Sequence, residues 1–235
     1  MWRGTLPRMD FDPAPRQSVS DHVFGRLRDA IVGGRYPAGD ALPSERELAT
    51  TFEVNRHAIR EALRRLQQLG LVKVSQGGAT RVLDWREHAG LDLAMAGDVL
   101  PVETLSRDVL EMRATIGADA ARLCALRATS EARRDVVAAV EIYAAAVPDL
   151  ALMGPADLLV WRRIVEGSGN IAYLLAFNSL TAGTLAVGHV PTHLRTEELL
   201  NVAAHRKLAA LIEAGEAAEA EQVARGLLHA KENVR

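Results

Sequence analysis

A chain of 235 residues, 49% of them hydrophobic, is long and apolar enough for one large domain or two small ones, which excludes a disordered protein. The formal net charge of −2 hides an asymmetry, because residues 1–82 hold 13 Lys/Arg against 9 Asp/Glu, whereas residues 83–235 hold 15 against 21. Only the front of the chain is therefore expected to face a polyanion.

Residues 1–17 are predicted to form a flexible tail. This stretch has no apolar core and carries Pro7, Pro13 and Pro15, a composition that is not typical of a signal peptide. The single cysteine, Cys124, excludes an intramolecular disulfide and gives no sign of an oxidising compartment. We therefore expect a cytoplasmic protein.

Residues 18–83 predict three helices followed by a β-hairpin. Apolar residues at helical spacing indicate a first helix that ends at Gly33-Gly34, and Ser44 with Glu47 forms the pattern of a capping box before a short second helix. The third helix follows Asn55 and ends before Gly70. Alternating residues on either side of a glycine pair then indicate a hairpin. This order is typical of a winged helix-turn-helix.

The third helix carries a basic face. Arg56, Arg60 and Arg64 are spaced by four residues and lie opposite the apolar face of the same helix. Such a helix packs on its domain through one side while its arginines reach guanine edges in a DNA major groove. Arg28 and Arg46 are expected to add contacts. The alternative interpretation is an ordinary solvated helix face.

The run LPSERELATTFEVNRHAIREALRRLQQLG, residues 42–70, resembles the N-terminal domain of the GntR family of bacterial regulators. The resemblance implies homodimers that bind a palindromic double-stranded DNA operator. Together with the residues of the third helix, it gives the following set of expected DNA-binding residues: Arg46, Asn55, Arg56, His57, Arg60, Gln76 and Gly77.

The rest of the chain is predicted to be an all-α bundle, so the fold class is mainly α with a single β-hairpin wing. Residues 84–100 are interpreted as a linker and first helix, and residues 101–235 as a helical effector-binding and dimerisation domain. Helical patterns cover about 86–97, 101–128, 130–147, 155–167, 171–188, 195–214 and 216–233.

One segment is long enough to be tested as a membrane span. Residues 167–194 contain no Asp, Glu, Lys or Arg, yet polar residues such as Asn170, Asn178 and His189 dilute them and the usual flanking anchors are missing. We therefore expect no membrane partner, and interpret the segment as a helix that is buried on all of its sides inside a soluble bundle.

The stretches DVLEMRATIGADAARLCA and DLLVWRRIVEGSGNIAYLL are similar to the C-terminal domain of the FadR subfamily. Many members of that subfamily hold a metal with one Asp and three His. Here Asp157 is present and His205 matches the second histidine, but Trp161 stands at the first histidine position and Leu227 at the third. An indole offers no lone pair to a cation, so no metal and no cofactor are expected.

A metal-free version of this domain resembles the acyl-CoA-responsive branch of the subfamily. The effector is accordingly expected to be a fatty acyl-CoA or a carboxylate metabolite, with arginines such as Arg113, Arg162 and Arg163 available to meet a carboxylate or phosphates. The alternative is that the apolar residues are ordinary bundle core and dimer interface. The expected effector-binding residues are Arg113, Asp157, Trp161, Tyr173, Phe177 and His205.

The function that these patterns favour is a ligand-responsive DNA-binding dimer. We expect a repressor, although the patterns themselves do not distinguish repression from activation. An enzyme is not expected, because the sequence contains no nucleophile elbow, Walker loop, dinucleotide fingerprint or HExxH motif. A purely architectural DNA-binding protein, which would bind without sequence preference or ligand, is the remaining alternative.

Overall fold

The computed structural model describes residues 19–75, 78–95, 102–182 and 192–229. The chain divides into two compact units, Met1–Gly90 and Leu91–Arg235. A small antiparallel sheet in the first unit and helices in the second confirm the predicted fold class.

The first unit contains α1 (Val19–Val32), α2 (Glu45–Thr51), α3 (Arg56–Gln68), β1 (Val72–Lys73), β2 (Arg81–Val82) and α4 (Trp85–His88). Helices α1 and α3 pack against each other and α2 packs on α3, as in a helix-turn-helix. Their apolar stripes form one core, which includes the buried residues Val23, Leu27, Ile31, Leu48, Ile59, Leu63 and Leu66.

Both predicted helix caps of this unit are confirmed. Ser44 accepts a hydrogen bond from the backbone N–H of Glu47, whose carboxylate in turn accepts from the backbone N–H of Ser44 at 2.8 Å. The Ser44 hydroxyl also donates to the Glu47 carboxylate at 2.7 Å, and this hydrogen bond, together with the one from the Ser44 backbone, lowers the pKa of Glu47. Asn55 caps α3 by accepting from the backbone N–H of Ala58 at 2.9 Å.

The wing is the antiparallel pair of β1 and β2, in register at Val72↔Val82 and Lys73↔Arg81. The segment before α2 borders the other edge of β2, because the N–H of Leu42 donates to the oxygen of Thr80 and the N–H of Val82 donates to that of Asp40. Gln76 and Gly77, expected at the wing tip, lie outside the described residues.

The second unit is helical throughout its described residues. Its elements are α5 (Leu91–Met95), α6 (Val102–Arg127), α7 (Ser130–Ala145), α8 (Leu150–Gly167), α9 (Ile171–Ala182), α10 (Thr192–Leu200), α11 (Val202–Ala214) and α12 (Ala217–Leu228). The long α6 packs against α8, α11 and α12, and α7 packs against α8 and α11. Small residues of α6, including Ala118, Ala120, Ala121 and Ala125, line its buried side.

Three helix boundaries differ from the sequence prediction. Helix α8 begins at Leu150 and runs through Pro155, because Asp149 caps it and the buried Met153 anchors its first turn. The segment predicted as one helix over 195–214 is divided at Asn201, which caps α11. Residues 86–97 hold two short helices, α4 and α5, rather than one.

Helix α9 is not buried on all sides, so that prediction is wrong for the described residues. It buries Phe177 and Leu180, but Ile171 is 67% and Leu175 59% exposed. Residues 183–191 of the charge-free segment lie outside the described residues. Over the ranges that the structure covers, no helix combines the length and apolar character that crossing a bilayer requires.

Candidate functional site

Helix α3 presents a cationic face to solvent. Arg56, His57 and Arg60 are exposed in its first two turns, whereas Ala58, Ile59 and the later core positions of the helix are buried. The helix begins with the cap at Asn55, so its first turn presents backbone N–H groups on the same end as these side chains. This combination suits contact with phosphates and base edges.

The start of α2 adds to this surface. Arg60 of α3 forms an ion pair with Glu45 at 2.8 Å, which brings the first turn of α2, including the exposed Arg46, beside α3. An exposed pair of this kind contributes roughly 0–1 kcal/mol. The Arg60 guanidinium can therefore exchange Glu45 for another anion at little cost.

Two other arginines of this unit are engaged within it. Arg65 pairs with Asp21 and lies 4.0 Å above the Phe24 ring. Arg28 is buried, pairs with Asp29 and lies 5.7 Å above the same ring. The contact expected of Arg28 is therefore not supported, because its guanidinium belongs to the domain core.

In the second unit, Asp157 of α8 is fully buried at the centre of a polar network. Its Oδ1 accepts a hydrogen bond from the indole N–H of Trp161 at 3.0 Å and lies 3.2 Å from Nε2 of His205. Its Oδ2 lies 3.7 Å from a guanidinium nitrogen of Arg113. The structure thus brings together four of the six expected effector residues, which come from helices α6, α8 and α11.

Arg113 is held by a carboxylate that the sequence did not single out. Its two terminal nitrogens donate to the two oxygens of Glu198 on α10, one of them at 2.8 Å. Both side chains are buried, with exposures of 8% and 9%. Glu197 and Glu198 form an ordinary acidic pair in the sequence, and nothing in the spacing marks which of the two points inward.

His205 is fixed from three directions. Its Nδ1 lies 2.9 Å from the backbone oxygen of Asn201, and its Nε2 faces Asp157. The centroid of the Tyr143 ring lies 4.3 Å from that of the imidazole, and the Tyr143 hydroxyl donates to the backbone oxygen of Leu199. The residues around the break between α10 and α11 are therefore tied to this network.

A small cavity adjoins Arg113 and Trp161. Its volume is about 20 Å³, which is room for roughly one water molecule. The lining is otherwise apolar and consists of Ile116, Gly117, Leu158, Val165, Phe177, Leu180 and Leu228. In this conformation the cavity is too small for an acyl chain.

Gly117 makes room for two of these side chains. A Cβ atom at this position would lie 2.4 Å from Cδ1 of Leu228 and 3.3 Å from Cζ3 of Trp161. The indole at position 161 is therefore accommodated by the absence of a side chain on the facing turn of α6.

Tyr173, the remaining expected effector residue, is not among the cavity-lining residues. Its hydroxyl donates to Asp119 at 2.9 Å, and this hydrogen bond raises the pKa of Tyr173. Burial alone would raise the pKa of Asp119, but hydrogen bonds from Arg122 and Tyr173 lower it. Arg162 and Arg163 pair with Glu166 near the surface of α8.

The donors around Asp157 do not fit a metal centre. The position at which related domains place a histidine carries an indole, whose N–H donates to the carboxylate and offers no lone pair. Leu227 is buried, and His229 is exposed beyond the end of α12. Within the described residues, no group of three or more His, Cys, Asp or Glu side chains is arranged to hold a metal ion.

Two family models match the chain. The model of bacterial regulatory proteins, gntR family, matches residues 19–82, and the FCD domain matches residues 108–230. The first stretch covers α1 to β2, and the second covers the helices that build the Asp157 network.

Individual relatives agree with these matches. The HTH-type transcriptional regulator Mce2R of Mycobacterium tuberculosis is 34% identical over 94% of this chain and 92% of its own length. A fatty acid metabolism regulator protein of Pectobacterium carotovorum is 33% identical over 73% of this chain and 72% of its own length. The matched gntR family consists of bacterial regulatory proteins, and both relatives are named as regulators and not as enzymes.

A solved structure shows the same fold. Lar, which controls expression of the agr system in Listeria monocytogenes, matches 91% of this chain and 94% of its own chain with a TM-score of 0.54. At 14% sequence identity this likeness concerns the fold alone.

Proposed function

The chain belongs to the GntR family of bacterial transcription regulators and carries an FCD effector-binding domain, and from this premise we propose that it binds a palindromic operator as a homodimer whose DNA affinity responds to a carboxylate effector. The DNA contacts are assigned to the exposed residues Arg46, Asn55, Arg56, His57 and Arg60, with Gln76 and Gly77 at the wing tip. The effector is assigned to the network around Arg113 and Asp157.

The observation that carries the DNA assignment is the two-sided character of α3. Its apolar side is buried in the domain core, so Arg56, His57 and Arg60 face outward and take no part in that core. A guanidinium that forms a bidentate contact to guanine contributes about 1–3 kcal/mol of discrimination against the wrong base.

The DNA assignment is tested with sequences that the protein itself selects from a random DNA library. Replacing Arg56 and Arg60 together with Glu is expected to weaken binding to the selected DNA more than a hundredfold, because two attractive contacts become repulsive. The matched control reverses the exposed Arg134 of α7, outside the winged helix-turn-helix, and is expected to leave affinity unchanged. If the double variant at Arg56 and Arg60 bound the selected DNA as tightly as the wild type, the assignment would be refuted.

The same selection separates a regulator from an architectural protein. Recovery of one inverted repeat supports a sequence-specific dimer, whereas a collection of unrelated sequences supports architectural binding. A defined repeat is the expected result.

The carboxylate assignment is supported by Arg113, which in its buried position donates two hydrogen bonds to the carboxylate of Glu198. The relative from Pectobacterium carotovorum regulates fatty acid metabolism by its name, which keeps a fatty acyl-CoA as a second candidate. The cavity of about 20 Å³ favours a compact carboxylate over an acyl chain. Titrating each ligand class into the protein–DNA complex decides between them, and a response to acyl-CoA alone would overturn the preference.

A further inference from the structure

The pair of Arg113 and Glu198 has the geometry with which arginine binds a free carboxylate. Both terminal nitrogens of the guanidinium donate to the two carboxylate oxygens, and both groups are removed from water. The two residues lie 85 positions apart in the chain and join α6 to α10.

We propose that Glu198 is an internal carboxylate that occupies the ligand position of Arg113, and that a carboxylate effector binds by exchanging with it. The inference rests on the proposed function in one respect, namely that the second unit binds a small carboxylate. Beyond that function, Glu198 is named as the residue that competes with the ligand, and α10 as the helix that ligand binding releases.

Exchange is required because both terminal nitrogens of Arg113 already donate to Glu198. The same guanidinium also lies 3.7 Å from Asp157. A further carboxylate in this buried volume would add a like charge beside Glu198 and Asp157, which is unfavourable at low dielectric. One of the resident carboxylates must therefore leave when a ligand carboxylate enters.

Glu198 is the carboxylate that can leave. Asp157 lies in the middle of α8, is fully buried, and is also engaged by Trp161 and His205. Glu198 lies on α10, a helix of nine residues that stops just before Asn201, between the exposed Glu197 and the buried Leu199. Its side chain reaches the surface, so a change of its rotamer alone returns the carboxylate to water, whereas the fully buried Asp157 has no such route.

The chemistry around Arg113 also defines the ligand class. The guanidinium borders the apolar cavity lined by residues such as Leu158, Val165 and Phe177. A monocarboxylate with a short apolar tail matches this arrangement, because its charged end replaces Glu198 while its tail enters apolar surroundings. Binding would release the Glu198 tether of α10 and disturb Trp161, whose ring lies 5.7 Å from the Arg113 guanidinium carbon.

The test measures propionate binding to the full chain by calorimetry, with the indole N–H resonance of Trp161 as a site-specific signal. Propionate has the size of the glutamate side chain that it would replace. Glu198→Gln is expected to bind propionate at least tenfold more tightly than the wild type, because the internal competitor has lost its charge. Glu197→Gln, on the neighbouring exposed acid of the same helix, is the matched control and is expected to match the wild type. Propan-1-ol, which lacks the carboxylate, is expected to show no difference between the wild type and Glu198→Gln.

A second variant guards against a purely structural effect. Adding Arg113→Met to Glu198→Gln is expected to abolish propionate binding while the far-ultraviolet circular dichroism stays native. Equal propionate affinities for the wild type and Glu198→Gln, no propionate binding to either protein, or a parallel gain for propan-1-ol would each overturn the exchange.

DNA binding is measured in parallel without ligand, on DNA selected by the wild type. A chain that binds this DNA but shows no propionate exchange contradicts the inference and leaves the DNA assignment intact. A chain that fails to bind DNA contradicts the proposed function, whatever the propionate result.

Discussion

The side chain of Trp161 has two roles at once, since its ring fills space beside Gly117 while its N–H satisfies a buried carboxylate. A buried polar group that loses its partner costs about 1–3 kcal/mol. Trp161→Phe keeps an aromatic ring but removes the donor to Asp157. We expect this substitution to lower the free energy of unfolding by about 2–4 kcal/mol, with the lost ring volume adding to the lost hydrogen bond.

The measurement is urea unfolding followed by circular dichroism. Trp85→Phe is the matched control, because Trp85 is only partly buried at the start of α4 and stacks with the Arg86 guanidinium at 4.4 Å. A loss for Trp161→Phe no larger than that of the control would contradict the role assigned to the indole N–H.

The only cysteine reports on unfolding of the second unit. Burial raises the pKa of the Cys124 thiol from 9.0 to about 11, so the folded protein holds it neutral where an unfolded chain begins to ionise. Stability from this group is complete below pH 9 and is lost as the pH rises towards 11, because only the unfolded state then releases the proton.

We expect a thiol reagent at pH 8 to label Cys124 only through unfolding. The labelling rate should rise with urea in parallel with the loss of circular dichroism. Rapid labelling of the native protein in the absence of urea would show that the thiol is accessible, contrary to its position against Gly167 and α8.

At the scale of single residues, the sequence predicted the members of the buried network better than their contacts. Arg113, Asp157 and His205 were expected from the resemblance and Trp161 as a departure from it, and the structure joins the four in one network. Glu198 was not predicted, because its partner is 85 residues away and the choice between two adjacent glutamates depends on the rotation of α10.

The junction between α3 and the wing depends on one glycine. Gly70 has a φ of 71°, and a Cβ atom there would lie 2.2 Å from the backbone oxygen of His88 in α4. Gly70→Ala is therefore expected to lower the free energy of unfolding by about 3 kcal/mol or more, combining left-handed strain with a backbone collision.

Gly34 provides a matched control for this prediction. Its φ of 77° is similar, but a Cβ atom at that position meets nothing within 4 Å. Gly34→Ala should therefore cost about 1–2 kcal/mol, the strain alone. Thermal unfolding of both variants checks the difference, and equal losses would mean that the contact with α4 does not constrain the junction.

At the scale of elements, local signals predicted the first unit well and the second less well. Ser44 and Asn55 are strong caps that agree with the apolar periodicity around them, so α2 and α3 were placed correctly. The helix predicted over 155–167 was expected to begin at Pro155, although a proline in the early turns of a helix removes few hydrogen bonds when a residue such as Asp149 caps it. Asn201 carried a cap signal that the continuous helical pattern concealed.

For the whole molecule, we expect a homodimer with a mass twice the 25.4 kDa of the chain. Light scattering of the purified protein measures this directly. Inserting five base pairs between the two halves of a selected repeat should abolish the high-affinity complex, because the halves then face opposite sides of the duplex. A monomeric mass together with tolerance of the insertion would contradict the two-fold arrangement.

The organisation into a DNA-binding domain followed by a helical domain was predictable from charge and pattern, but the size of the cavity beside Arg113 was not. The basic front and the acidic rear follow from counting residues, and the winged helix-turn-helix follows from local periodicity. The size of the cavity depends on how α6, α8, α9 and α12 pack together, which the sequence pattern does not specify.

The missing side chain at Gly117 has a consequence for how this branch of the family can diverge. The severe contact of a side chain at 117 would be with Leu228, which would have to shift or be replaced by a smaller residue, whereas Trp161 would need to move by only a few tenths of an ångström. In homologues with alanine at position 117 we therefore expect position 228 to differ from leucine more often than position 161 differs from tryptophan.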